Sequence, residues 1–286
     1  MDATISNCPL CGSTSFLEHS SFVGTTLRYR NRSYLYARCK TCLSIVRLGV
    51  EPVDYTGYVT SKSLLKSQIR RFARFLDDLE VQKDDNILDF GCGSGTLLSE
   101  LQRLGYTNLQ GYEPFNPKYS KTLEAGKFSL IYLVHVFEHI ADLEAFFCDL
   151  DKVTEGNSTI IIICPSSTRI PNLAPKCPFQ KYTIHAPFHT VIPSDHQATD
   201  IFARNGYRLR FRLPYDVQRS GIWNNNRVAA LLNQALGGIK ENLLSATFLD
   251  GIALVIGSPF LSLDCMLLHR QDAFVTTFVF ERANGS

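Results

Sequence analysis

Apolar and polar residues change their spacing several times along the chain, and each change predicts a different kind of element. Residues 1 to 50 show no helical period; stretches such as "LRYRNRSYLYARC" alternate polar with apolar, which predicts short strands in a small amino-terminal module. A turn-rich link, "EPVDYTGYVTS", follows, and then Leu65, Ile69, Phe72, Leu76 and Leu79 recur at the spacing of one amphipathic helix. From Asn86 the pattern alternates: strand "NILDF", helix "GTLLSELQRLG", strands "NLQGYEP" and "FSLIYLVHVF", helix "DLEAFFCDLDKV", strand "STIIIIC". A loop with several prolines leads to a helix from Ser194 to Asn205, stopped by Gly206, and to strands "YRLRFRL" and "FVTTFVF". This rhythm predicts an α/β fold with a doubly wound, mostly parallel sheet. Continuous runs such as "IIII" fit central strands covered on both faces.

Residues 216–272 interrupt the rhythm with an Asn-rich turn, a helix "RVAALLNQAL" and the apolar stretch "FLDGIALVIGSPFLSL". Asp250, Pro259 and Asp264 forbid a membrane helix there, so the segment reads as a packed insertion or a homodimer face, with contact to a lipid-like acceptor as the rival reading. The predicted organisation is therefore a module at 1–50, a linker and covering helix at 51–82, and an α/β domain at 83–286 carrying that insertion. No basic leader followed by an apolar core opens the sequence, and no apolar run reaches the length of a membrane span, so a cytoplasmic protein is expected.

Nine cysteines change the picture at the amino terminus. Cys8 and Cys11 in "CPLCG" and Cys39 and Cys42 in "CKTC" form two knuckles separated by 27 residues, which supply four thiolates for a structural zinc; the other five are scattered singly. The net charge of +2 hides an uneven distribution, since Arg28 to Arg47 holds six basic residues and no acid. That stretch could meet an anionic partner, but a solvated face balancing a zinc–thiolate centre accounts for it more simply.

The chemistry concentrates in "NILDFGCGSG". Glycines at 91, 93 and 95 let the backbone turn sharply after Phe90 and let a ligand lie against it, ahead of a helix amino terminus. The G-x-G-x-G spacing is not the G-x-G-x-x-G that seats a pyrophosphate, and Asp89 just before the loop suits a cationic ligand better; Glu113, about 20 residues on, is placed for a ribose diol. Through "ILDFGCGSG", "GYEP", "VHVFEHIADLEAFF" and "IIIICP" in order, the chain resembles the class I S-adenosylmethionine-dependent methyltransferases of the small-molecule and glycan, methyltransferase-23-like type, over roughly residues 55 to 215.

The resemblance implies a seven-stranded-type sheet and assigns roles. Asp89 and the backbone of Gly91, Cys92 and Gly93 would line the methionine end, Glu113 with Pro114 would hold the ribose, and His135 with Val136 would border the cofactor. Glu138 and His139 would face the transfer site, and Tyr55 and Tyr58 match a stretch that covers the cofactor in relatives. His185 and His189 fall where relatives build the acceptor pocket, so His139, His185 and His189 are the candidate acid–base residues. Two departures stand out: so little chain separates Glu113 from the strand holding Ile131 that the third strand is reduced or absent, and Ser129 replaces a frequent Asp. The expectation is methyl transfer to a small-molecule or saccharide acceptor. The rivals are an RNA methyltransferase using the basic module, against which the slight positive charge and the "EHI" motif speak, and a non-catalytic module that keeps the fold only to grip a partner.

Overall fold

A computed structural model describes residues 7–49, 53–55, 66–120, 123, 128–218 and 274–283. Tyr58 and nearly all of the 216–272 insertion, with the homodimer face expected there, lie outside the described residues.

The strands form two sheets. Strands β1 (Phe16–Val23), β2 (Ser33–Cys39) and β3 (Ile45–Arg47) make the amino-terminal meander, followed by helix α1 (Lys66–Asp78). The main domain then runs β4 (Ile87–Phe90), α2 (Thr96–Arg103), β5 (Leu109–Tyr112), β6 (Phe128–Val134), α3 (Leu143–Val153), β7 (Thr154–Pro165), α4 (Pro178–Ile184), β8 (Val191–Ile192), α5 (Asp195–Arg204), β9 (Tyr207–Leu213) and β10 (Val275–Arg282). Six strands join in the order β5-β4-β6-β7-β10-β9. β5, β4, β6 and β7 are mutually parallel, while β10 runs antiparallel to both its neighbours. Among the described residues no strand lies between β5 and β6.

The isoleucine run shows why the sheet is covered twice. Ile160 and Ile162 point into one cluster with Phe146, Phe147 and Leu150 of α3 and Phe202 of α5. Ile161 and Ile163 point into the other, with Phe72 and Leu76 of α1 and Leu97 and Leu101 of α2. A period of two along the strand thus feeds two helical layers. Edge strand β9 exposes Arg208, Arg210 and Arg212, as its alternating pattern predicts, while a register shift opposite Val279 and Phe280 sends Tyr207 and Leu209 to one cluster and Phe211 and Leu213 to the other. Helix α5 begins where expected, with the Ser194 hydroxyl accepting from Gln197 N–H at 3.1 Å.

The segment after β7 is more structured than its prolines suggest. It contains α4, with Pro178 in the first turn where a missing N–H costs nothing, and β8, which pairs antiparallel with β3 through Ile45–Ile192 and Val46–Val191. The amino-terminal sheet therefore takes its fourth strand from the main domain. A shared apolar cluster of Phe22, Tyr36 and Ile45 with Ile170, Ile184 and Phe188 backs this pairing.

Candidate active site

The carboxyl ends of β4, β5, β6 and β7 lie along one edge of the sheet, where the loops that follow them meet. The loop after β4 is fixed first. Gly91 adopts φ +82, and a β-carbon there would fall 2.4 Å from Val136 Cγ2; Gly95 adopts φ +74, and a β-carbon there would fall 2.1 Å from the Tyr119 hydroxyl. Both positions thus require glycine for conformation and for space. Gly91 N–H donates to Tyr112 O at 2.7 Å and Cys92 N–H to the same carbonyl at 3.0 Å, which ties the loop to the end of β5.

Glu113 closes the loop from the side. Its Oε2 accepts from Gly93 N–H at 3.1 Å and its Oε1 from Phe115 N–H at 3.2 Å. Asn116 Nδ2 donates to Gly93 O at 2.7 Å. Pro114 is exposed beside it. Asp89 lies beneath, only 4% exposed. Burial pushes its carboxyl up to about 8 against the pull of the Tyr132 hydroxyl, and the charge of Glu113 adds to the rise. Asn116 and Tyr119 escaped the sequence reading, since neither belongs to a motif.

The loop after β6 brings the second half of the site. His135 sits at φ 55 and faces a carboxylate with each nitrogen: Nδ1 is 3.3 Å from Glu138 Oε1 and Nε2 is 3.2 Å from Asp216 Oδ2. Such a ring is best satisfied by donating on both sides. Glu138 and Asp216 are both fully buried, and Glu138 Oε2 has no hydrogen-bond partner. Asp216 gave no signal in the sequence, because it follows β9 far along the chain.

His139 and His189 stand next to Glu138, their ring centroids 4.8 Å apart. His139 Nδ1 donates to Phe188 O at 3.1 Å and His189 Nδ1 to Thr183 O at 2.8 Å. Burial lowers the pKa of both rings. His185 behaves differently: it ends α4 at φ 43, lies 2.8 Å from Thr25 Oγ1, and is held by burial at about 3. Tyr55 crosses the opening, stacked on exposed Phe115 at 4.7 Å and edge-on to His139 at 6.1 Å and Phe188 at 5.6 Å.

The four knuckle cysteines converge in the amino-terminal module. Cys8 and Cys42 Sγ are 3.7 Å apart, Cys11 and Cys39 Sγ 3.5 Å, and all four lie within 4.8 Å of one another. Tetrahedral zinc with Zn–S bonds of about 2.3 Å sets its sulfurs about 3.8 Å apart, so the donors fit that ion. The hydrogen bond between Cys8 and Cys42 pulls the Cys42 thiol down and pushes that of Cys8 up.

Two acids, Asp89 and Glu113, face a glycine loop at the head of a parallel sheet. The Glu113 carboxylate there opposes a pyrophosphate, and fold and site together define an S-adenosylmethionine-dependent methyltransferase. The Methyltransf_23 family of methyltransferase domains matches residues 63–210, more than half of the chain, and the protein belongs to that family. Among solved structures the chain is similar to an S-adenosylmethionine-dependent methyltransferase from Mesorhizobium loti (9% identity, 74% of this chain and 98% of that one covered, TM-score 0.45). It is also similar to geranyl diphosphate C-methyltransferase from Streptomyces coelicolor A3(2) in complex with S-adenosyl-L-homocysteine (14%, 75% and 76%, 0.44). A third is mycolic acid cyclopropane synthase CmaA1, complexed with S-adenosylhomocysteine (15%, 73% and 82%, 0.44).

Proposed function

We propose that this methyltransferase acts on a small-molecule or saccharide acceptor held under Tyr55 and Phe188, with its reacting oxygen or nitrogen against Glu138, His139 and His189. The observation that carries the reading is the meeting of those three side chains, two of which, Glu138 and His139, follow closely on Val136, which itself packs on the glycine loop. Acceptor group and cofactor loop are thereby brought side by side, as in-line transfer requires. The cofactor, when bound, supplies the electrophilic methyl on a sulfonium.

The chain's own residues do the rest. The backbone of Gly91, Cys92 and Gly93 with Asp89 receives the methionine end, and Glu113 with Pro114 turns to the ribose hydroxyls. His135 and Val136 border the cofactor. The Glu138–His139–His189 cluster holds the acceptor's polar group and relieves it of its proton, whereas His185, bound to Thr25, positions the loop. Cys8, Cys11, Cys39 and Cys42 hold a closed structural zinc with no position for water. The basic stretch of the module is partly committed to structure, which disfavours nucleic acid as the acceptor. Arg38 is buried and donates to Glu18 Oε1 at 2.7 Å and Ile170 O at 2.6 Å, and Arg28 pairs with Asp54 at 2.8 Å. Among the described residues no helix is long and apolar enough to cross a membrane.

Calorimetry with S-adenosylhomocysteine tests the cofactor site. With its carboxyl at about 8, Asp89 is protonated at pH 7 in the free protein; a ligand ammonium beside it favours the ionised form. Binding at pH 7 should release about one proton, read as a dependence of the binding enthalpy on the buffer's ionisation enthalpy. Asp89→Asn should abolish that dependence; a buffer-independent enthalpy in the parent protein would refute the placement. Glu113→Ala should weaken binding by about 1–3 kcal/mol through loss of the ribose hydrogen bonds, measured in the same titration, and unchanged affinity would remove Glu113 from the site.

A further inference from the structure

The seam between α1 and the edge strand β9 holds an open groove of about 350 Å³, and none of the residues that line it is assigned to cofactor or acceptor. Its floor is apolar. The register shift in β9 moves Phe211 and Leu213 away from the cluster that holds Leu209 and into the one that holds α1, where they meet Phe75 and Leu79. Phe75 and Phe211 stand edge-on at 6.5 Å. Such irregularities recur where a strand has to re-aim its side chains. In the sheet β9 pairs with β10 alone, so among the described residues no further strand closes the seam.

The rim is basic. Arg71, Arg74 and Arg210 line the groove against one acid, Asp78. Arg71 Nε donates to Gln218 O at 2.9 Å and Arg210 Nε lies 3.8 Å from Glu281 Oε2, which holds both guanidiniums at the groove. Arg74 is exposed. These charges do not serve the helix that carries them: α1 ends on Asp77 and Asp78 with no base in its last turn, the reverse of what its dipole favours. Arg70 and Arg71 also stand four and three positions before Arg74, spacings at which like charges repel. A charge pattern that lowers helix stability points to a use outside the helix.

We propose that this groove binds one anionic amphiphile, an unbranched alkyl chain bearing a carboxylate or a phosphate. The chain lies along Phe75, Leu79, Phe211 and Leu213, and the head is gripped by Arg71, Arg74 and Arg210, whose planar forks match either oxyanion. An apolar floor with a few charged groups at the rim, in a volume within the roughly 300–1,000 Å³ of small-molecule sites, is the make-up of such a pocket. Tyr215 and Val217 of the lining flank Asp216, which meets His135, so the occupant sits beside the transfer site and not in it. The proposal holds for any acceptor.

The test is calorimetric titration of the full chain with dodecyl phosphate below its micelle concentration. One molecule per chain is expected. Dodecyltrimethylammonium, with the same tail and the opposite charge, should bind at least about 10-fold more weakly, and octyl phosphate should lose about 10-fold or more because it buries fewer methylenes. Arg74→Gln/Arg210→Gln should weaken dodecyl phosphate by about 10-fold or more through loss of charged hydrogen bonds. Leu79→Gln should weaken it as well, with Leu213→Gln in reserve should that variant fail to melt as the parent does. The proposal is overturned if neither dodecyl phosphate nor dodecanoate binds, if the cationic amphiphile binds equally well, or if binding is unchanged in Arg74→Gln/Arg210→Gln, which would place the ligand elsewhere. Attachment to phosphatidylglycerol vesicles without uptake of the single amphiphile would make the groove a membrane-facing surface and overturn it too.

Discussion

Replacing His139 by alanine is expected to lower turnover by about 10²–10⁴-fold, the range for a group that manages a proton in the transition state, while affinity for S-adenosylhomocysteine stays near that of the parent. The ring is held on one side by Phe188 O and lies against His189 and Tyr55 on others, within the acceptor region proposed above. The glycine loop is secured by Tyr112, Glu113 and Asn116, none of which touches His139, and cofactor binding should therefore survive. The same truncation at His185 serves as contrast. It removes the partner of Thr25 at 2.8 Å, and should show first as lower thermal stability. Initial rates at saturating acceptor, paired with calorimetry, check both; near-normal turnover in His139→Ala would remove it from the mechanism.

The sequence displayed those parts of this site that lie within a few residues of a strand end. "NILDFGCGSG" carries its own turn, and the interval to Glu113 is set by one helix and one short strand, so Asp89, the glycines and Glu113 could be placed by spacing alone. The "EHI" residues follow β6 directly and were equally accessible. What escaped depends on contacts between distant segments. β8 is two residues long and has no period to detect; only β3 beside it makes it a strand. α4 was hidden by the prolines around it, although one at the first turn of a helix is compatible with it. Asp216 meets His135 across 81 positions, and no local pattern announces such a pairing. The sequence put His139 first, just past the strand end, and left His185 and His189 undistinguished behind it. Geometry separates them, because two cluster with Glu138 while the third turns to the amino-terminal module.

That module is fastened to the segment carrying His189, on the proposed acceptor side, and from this comes the other large effect expected. Removing zinc by chelation, or substituting Cys39→Ser, should depress turnover by about 10²-fold or more, the cost of misplacing acceptor groups by about an ångström. The route is a set of hydrogen bonds. Tyr36 donates its hydroxyl to His189 O at 2.9 Å and Arg47 its N–H to Thr190 O at 2.9 Å. Ser194, the cap of α5, donates its hydroxyl to Cys42 O at 2.7 Å and its N–H to Ser44 Oγ at 3.0 Å. Cys42 is one of the four knuckle cysteines, so the carbonyl that fixes Ser194 belongs to a residue the ion would hold in place. Binding energy of structural zinc is folding energy for the segment that carries it, and its loss should free β3 from β8 and let His189 drift from His139. The parallel strands and the glycine loop make none of these bonds, so S-adenosylhomocysteine should still bind. Metal analysis, turnover and cofactor titration on one preparation decide the matter: zinc-free protein that turns over at the parent rate would show that the module is a passenger, and loss of cofactor binding along with turnover would mean that the two sheets stand or fall together.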